Sequence, residues 1–411
     1  MKLKFLSLGL FIPRVLGWGA AGHEIIATIA QIHLHPSVLP VICDILNYTS
    51  TSPDEPPCRL APVSTWADRF KYRMRWSAPL HYVGAKDDYP SETCVFPGER
   101  GWAGSRNINV LAGIMNVTSL LDAWVEGSSS DDTAEEALKF LIHFVGDLHM
   151  PLHLTGRDRG GNSVKVRFDG RQTNLHSAWD GLLIAKTLRN IPRKYDHPLP
   201  IPSLERNLRG AIYDGFIRQI MWEGILHDWK DQVPEWLVCP SEKGAPPPSL
   251  SFPKEYQYLP SIIYDYVTQY LGYISPAFAS SSASTDDSTV CPHFWAQPIH
   301  AMNCDFVWPK ALDEPPYSHL RAFGSDSDSL TPRPKSPLLE LDAPEYWGYI
   351  AEHHILHKLM AQGGIRLAGI LNWLFADLAE AGVDGRLSQD GQAEAKRRVK
   401  ELFVNSPVEM L

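Results

Sequence analysis

The chain has 411 residues, of which 38 are Lys or Arg and 47 are Asp or Glu, a formal charge of −9 with histidine neutral. With 44% apolar residues, 13 Trp, 15 Tyr and 15 Phe it can bury a large core, which excludes wholesale disorder and a minimal disulfide-held scaffold. The acidic balance excludes a simple electrostatic clamp on nucleic acid, because no surplus of cations is there to release counterions. A polyanion would have to be met by a local positive centre such as a bound metal.

Residues 1–17, MKLKFLSLGLFIPRVLG, join a basic start at Lys2 and Lys4 to an apolar stretch from Phe5 to Ile12 and a small-residue exit. That is the pattern of a secretory signal peptide, too short to span a bilayer. No other stretch reaches the ~18 uninterrupted apolar residues of a membrane helix, so no membrane association is expected. Six cysteines and glycosylation acceptors at Asn47-Tyr48-Thr49 and Asn116-Val117-Thr118 fit export, and a secreted, extracellular protein is expected.

Apolar residues recur at helical period from Gly22 to about Leu34, over 104–126 and 134–149, over 174–190 and 203–230, and from Tyr346 to about Ala379 with Gly363-Gly364 inside. Val164, Val166 and Phe168 alternate with polar residues ahead of Asp169-Gly170, which predicts a short strand or hairpin. The expected class is mainly α: a single helical domain over residues 18–380 with a small β-hairpin and loop insertions. A Ser-rich stretch near 276–290 and a Pro, Ser and Asp stretch near 313–337 read as insertions, and residues 381–411 as a charged C-terminal tail.

The placement of His and Asp is the informative feature. His143 and Asp147 stand four apart in the helix predicted over 134–149, so both project from one face. Met150-Pro151 ends that helix and His153 follows the break. His176 and Asp180 repeat the spacing in NLHSAWD, while Asp68 in STWADRFKY and His81 in SAPLHYV lie upstream. These nitrogen and oxygen donors suit zinc or a similar divalent ion. A single such pair reads most simply as an ion pair on a helix face. Two pairs flanking His153, with Asp147 inside the apolar run FLIHFVGDLH where an unpartnered carboxylate is costly, point to a metal. His33, His35, His353, His354 and His357 read as packed or exposed structural histidines. Cleavage after Gly17 would make Trp18 the first residue, with His23 five positions on. Its freed α-amine and its own carbonyl could then chelate a metal, so the protein would stay inactive until the signal is removed.

Taken together, WGAAGH, WAD, LHY, HFVGDLHMPLH, GGN and NLHSAWD resemble the zinc-dependent single-strand-specific nucleases of fungi and plants. The likeness runs from Trp18 to about Trp373 and includes FWAQPIHAMNC and MAQGGIRLAGILNW. It implies a helical fold of the zinc phospholipase C and single-strand nuclease type holding three zinc ions. Asp68, His81, His143 and Asp147 would hold the first, and His153, His176 and Asp180 the second. The amine and carbonyl of Trp18 with His23 would hold the third, with Asp147 bridging. The implied activity is secreted, zinc-dependent endonucleolytic hydrolysis of single-stranded DNA and RNA to 5′-phosphorylated products, with 3′-nucleotidase activity. Zinc-bound hydroxide would attack phosphorus in line. A monomer is expected.

The resemblance also gives roles to residues beside the cage. Asp68 and Lys71 would be catalytic, Lys71 standing by the phosphoryl oxygens unless it is only a surface lysine. Tyr82 would stack on a base or else pack into the core. Where the family carries an aspartate three positions after His81, this chain has Gly84, with Asp87 and Asp88 nearby as substitutes; Gly181 likewise lacks a polar side chain. Altered nucleotide selectivity is the expectation. The family uses a disulfide matching Cys94 and Cys304; Cys43 with Cys58 and Cys239 with Cys291 are near in sequence, among the 15 pairings six cysteines allow. A trinuclear zinc phospholipase C-like phosphodiesterase, or a secreted zinc-binding relative with impaired catalysis, are the alternatives.

Overall fold

The computed structural model describes residues 18–52, 55–105, 107–240, 286–318 and 337–376. The signal segment 1–17, the insertion residues 276–285 and 319–336, and the tail lie outside them. The first half runs α1 (Ala20–Ile32), α2 (Val38–Ile45), α3 (Ala61–Ser64), α4 (Trp66–Phe70), a 3-10 turn Arg75–His81, α5 (Val110–Val125) and α6 (Asp131–Leu148). A 3-10 turn Pro151–Leu154, strands β1 (Lys165–Phe168) and β2 (Arg171–Asn174), and helices α7 (Leu175–Ser177), α8 (Leu183–Arg189), α9 (Pro202–Leu208) and α10 (Asp214–Gln219) follow. After these come α11 (Pro292–Met302), α12 (Tyr349–Glu352) and α13 (Ile355–Phe375).

Helix α6 is the centre, and its sequence says why. Ser130 caps it, its hydroxyl accepting from the Thr133 N–H at 3.3 Å, and Asp131 and Asp132 face the positive end of the helix dipole. From Phe140 to His149 every residue is buried, as a helix apolar on all sides must be. The cover comes from α5 packed along it, and from α1 and α13, which pack on each other and on α6.

The hairpin forms as the alternation predicted. β1 pairs antiparallel with β2, Val166 opposite Thr173, and Val166 and Phe168 turn inward. Asp169 (φ 53°) and Gly170 (φ 70°) make the two-residue turn whose backbone twist suits a hairpin. β2 then passes directly into α7, so the hairpin delivers the segment that carries His176.

Helix boundaries moved where capping and backbone geometry outweigh periodicity. The helix expected over 104–126 starts at Val110, because the Asn109 side chain accepts from the Ala112 N–H at 3.0 Å. That expected over 174–190 contains a π-helical turn, Ala178–Leu182, and the one over 203–230 is cut between Leu208 and Asp214. The helix predicted from Tyr346 breaks at His354, whose φ is 50°, while Gly363 and Gly364 both lie inside α13. All six cysteines are paired, as Cys43–Cys58, Cys94–Cys304 and Cys239–Cys291. No helix among the described residues is long and apolar enough to cross a membrane.

Leu141 is fully buried in α6. Leu141→Ala should lower unfolding stability by about 2–5 kcal/mol, the loss of burial plus a cavity. Urea unfolding followed by tryptophan fluorescence measures it, and a change below about 1 kcal/mol would show that α6 is not a tightly packed centre.

Candidate metal centre

Seven elements deliver side chains to one place. His23 comes from α1, Asp68 from α4, His81 from the end of the 3-10 turn, and His143 and Asp147 from α6. The Pro151 break turns His153 back toward α6, α7 supplies His176, and the π-helical turn supplies Asp180. Three sets result: His23, His143 and Asp147; Asp68, His81 and His143; and His153, His176 and Asp180. Within each set the donor atoms lie within 4.8 Å of one another. Asp147 joins them, with Oδ2 2.9 Å from His81 Nδ1 and 3.2 Å from His143 Nε2, and Oδ1 3.4 Å from His23 Nε2 and from His153 Nδ1. The approach of His23 requires a glycine in α6: a Cβ on Gly146 would stand 2.4 Å from His23 Nδ1.

Three rings are aimed by backbone carbonyls. His143 Nδ1 bonds Ser64 O at 2.7 Å, His153 Nδ1 bonds His81 O at 2.6 Å, and His176 Nδ1 bonds Gly160 O at 2.7 Å. With Nδ1 donating, Nε2 of each ring is left as a lone-pair donor, the arrangement metal-binding histidines use. Sequence reasoning missed these carbonyls, since no side chain marks a carbonyl; the only pointer was Gly160 within the GGN motif.

The residues fit a divalent cation on their own chemistry. His23 Nδ1 and Nε2, His81 Nε2, Asp147 Oδ1, His153 Nε2 and Asp180 Oδ1 are buried without a hydrogen-bond partner among the described residues. Each such atom costs stability unless something satisfies it, and their convergence in one nitrogen-and-oxygen set is what a zinc-like ion would satisfy. Trp18 is fully buried, and the Gly19 N–H donates to Asp180 O at 2.8 Å, which pins the start of the described chain beside the third set.

Burial and mutual charge set the protonation. Burial pushes the Asp147 carboxyl up, but the charges of His143 and His153 and the close approach of the His143 and His23 rings outweigh it and hold it well below the usual range. Burial pulls His143 down, yet the charge and hydrogen bond of Asp147 and the charge of Asp68 lift it to about 9. Burial takes His153 to about 4 and, together with His143, lowers His23. Burial raises Asp180 to about 7 against the opposing charge and hydrogen bond of His176.

Neighbouring positions are equally definite. Lys71 Nζ stands 3.4 Å from Asp68 Oδ1, at the rim of the second set. Tyr82 is 50% exposed, which removes core packing as its role. A Cβ on Gly84 would lie 2.4 Å from Gly156 N, so a side chain is barred there by backbone. Neither suggested substitute joins the cage: Asp88 accepts from Thr155, Val95 and His300, and Asp87 from the Arg100 N–H. Asp88, Cys94 and His300 also cluster, but the Cys94 sulfur is spent in its disulfide. A Cβ on Gly181 would meet nothing within 4 Å. His33 Nδ1 donates to Ile29 O and His353 Nδ1 to Tyr349 O, as structural histidines do.

The described residues form a mainly helical fold around a buried His/Asp centre that could hold a metal ion, and residues 18–242 match the S1/P1 Nuclease family. The chain is 31% identical to Endonuclease 2 of Arabidopsis thaliana over 240 residues, 57% of this chain and 73% of that protein. It is 40% identical to Nuclease S1 of Aspergillus oryzae over 166 residues, 40% of this chain and 53% of that protein. It is 36% identical to Nuclease P1 of Penicillium citrinum over 173 residues, 42% of this chain and 60% of that protein. The chain belongs to the S1/P1 nuclease family, whose members are hydrolases of nucleic acid.

At pH 6 Asp180, at about 7, and His143, at about 9, each hold a proton that an incoming cation must displace. Cation affinity should therefore rise with pH and be weaker at pH 6 than at pH 8 by at least about tenfold. Zinc titration calorimetry at the two pH values measures this, and equal affinities would contradict the assignment of both groups as ligands.

Proposed function

We propose that this chain is a secreted, zinc-dependent endonuclease that hydrolyses single-stranded DNA and RNA to 5′-phosphorylated products and also removes the phosphate of 3′-nucleotides. The observation that carries the reading is the convergence of buried, partnerless donor atoms on His23, His81, Asp147, His153 and Asp180. Family membership supports the nucleic-acid substrate. The domain spans residues 18–380 and acts as a monomer.

Three zinc ions are the proposed cofactors, held by Asp68, His81, His143 and Asp147; by His153, His176 and Asp180; and by Trp18 and His23 with Asp147 shared. Zinc bound there supplies Lewis acidity and lowers the pKa of a coordinated water. The protein's own residues do the rest. Asp147 sets the spacing of the sets by offering one oxygen to His81 and His143 and the other to His23 and His153. The carbonyls of Ser64, His81 and Gly160 keep the rings in one tautomer and orientation. Lys71, beside Asp68, brings a cation to the phosphoryl oxygens, where charge accumulates during displacement. The exposed Tyr82 ring follows ligand His81 directly and offers a face on which an unpaired base stacks, which favours single strands over duplex.

Export is part of the reading. Removal of residues 1–17 would free the α-amine of Trp18, five positions before His23, and three disulfides suit an oxidising compartment. The steric bar at Gly84 leaves base selection without the family's aspartate there, so base preference should differ from that of relatives that carry it.

The secreted protein should begin at Trp18, hold about three zinc ions and cleave single-stranded but not duplex DNA, with activity lost to a chelator. N-terminal sequencing, metal analysis and a gel assay test this together, and zinc without cleavage would overturn the nuclease reading. Asp147→Asn should lower kcat/KM more than ~100-fold, because two of the three sets lose the charge of their shared carboxylate. Tyr82→Ala should instead weaken kcat/KM on single strands roughly 5- to 100-fold while leaving zinc content unchanged; an unchanged rate would rule out stacking.

A further inference from the structure

Between the candidate ligands Asp68 and His81 the chain makes an exposed ridge whose composition the metal centre does not explain. Residues 69–82 hold Arg69, Lys71, Arg73 and Arg75 and no Asp or Glu, in a chain whose formal charge is −9. Interleaved with these cations are the most exposed aromatic rings of the neighbourhood, Tyr72 at 55%, Trp76 at 57% and Tyr82 at 50%. Arg73 and Arg75 are exposed and have no carboxylate partner among the described residues. Arg69 differs, donating to Pro62 O at 3.1 Å away from this run.

The ridge is held rigidly against the site. Trp76 meets Phe140 edge-on at 5.5 Å between ring centroids, Phe140 stacks on Phe144 at 5.0 Å, and Phe144 meets the His81 ring at 5.4 Å. One part of the Trp76 ring is thus fixed through α6 to a candidate ligand while more than half its surface faces solvent. Exposing a ring of this size to water is unfavourable, and a protein that keeps it rigid and flanked by cations presents the two groups a single strand uses, a stacking face and a phosphate contact. Cations and aromatics alternate along the segment, so no continuous apolar face is offered to a bilayer.

We propose that Tyr72, Arg73, Arg75 and Trp76 form a binding track for single-stranded nucleic acid, carrying nucleotides beyond the one that Tyr82 and Lys71 would meet. The inference rests on the nuclease reading and deepens it: the enzyme recognises a length of strand, not only the bond it cuts. It also answers the electrostatic objection raised by the acidic composition, because a run of four cations without an acidic residue stands next to the candidate metal centre.

The test is binding, measured by fluorescence anisotropy with cleavage-resistant phosphorothioate oligo(dT) of three and twelve nucleotides on the full zinc-loaded protein. Wild type should bind the twelve-mer more tightly than the trimer, and Tyr72→Ala with Trp76→Ala should reduce that ratio roughly tenfold. Because Trp76 also touches Phe140, Arg73→Gln with Arg75→Gln carries the test on two exposed side chains, of which Arg73 lies 5.8 Å from the Phe70 ring centroid. This pair should reduce the ratio and flatten the slope of log affinity against log salt by roughly 1.4. An unchanged ratio and slope in both double variants, each with a wild-type melting temperature, would overturn the track. Tighter binding to phosphatidylserine vesicles than to the twelve-mer, lost in the same variants, would overturn it in favour of a membrane face. If wild type cleaves single strands while the ratio is insensitive to all four substitutions, only the track falls. If it neither binds nor cleaves them, the nuclease reading falls with it.

Discussion

A carboxylate on the inner side of an apolar helix must find positive charge or keep its proton, and the site of this protein is organised around that constraint. Asp147 is fully buried in α6, within contact distance of His23, His81, His143 and His153. Four imidazoles from separate elements turn toward one group, a fully buried carboxylate that their charge and contacts hold in its ionised form. The arrangement carries a cost, since buried nitrogen and oxygen atoms without a hydrogen-bond partner among the described residues remain, and a bound cation would satisfy them together.

The helical scaffold serves this centre by bringing distant stretches of chain within ångströms of α6. Gly146 lets α1 deliver His23, the α5–α6 pair supports the Phe140 and Phe144 rings behind His81, and the Pro151 break returns His153 to the helix it has just left. Behind the cage, His149 Nε2 accepts from Arg366 Nη1 of α13 at 2.8 Å, so the last described helix closes the back of the site. The hairpin has a comparable role, since its second strand runs straight into the segment bearing His176, and Gly160 just before it orients that ring.

Substrate reading sits on the rim, where physical demands are different. Inside, each polar atom needs a partner and each ring needs a fixed orientation; outside, Tyr82, Arg73 and Arg75 stay exposed, where the proposed partner would be another molecule. Gly84 marks the boundary between the two regimes. Its position is decided by the Gly156 backbone pressing on it, so a binding side chain is excluded for a packing reason and not a chemical one.

Much of this was legible in the amino-acid sequence. Periodicity located α1, α6 and α13, the Asp169-Gly170 pair located the hairpin turn, and the spacing of His143 with Asp147 and of His176 with Asp180 identified the polar groups an apolar core would not otherwise tolerate. These are local properties, set by the 3.6-residue turn of a helix and by the cost of burying charge. Tertiary structure alone decided the rest. It set where helices stop, because caps such as Asn109 and the left-handed backbone at His354 outweigh periodicity. It chose the carbonyls that aim the rings, turned Tyr82 outward, and committed Asp88 to His300 and Thr155 away from the cage. Residues far apart in sequence meet through packing, and a one-dimensional pattern carries the chemistry of each residue without its neighbours across the core.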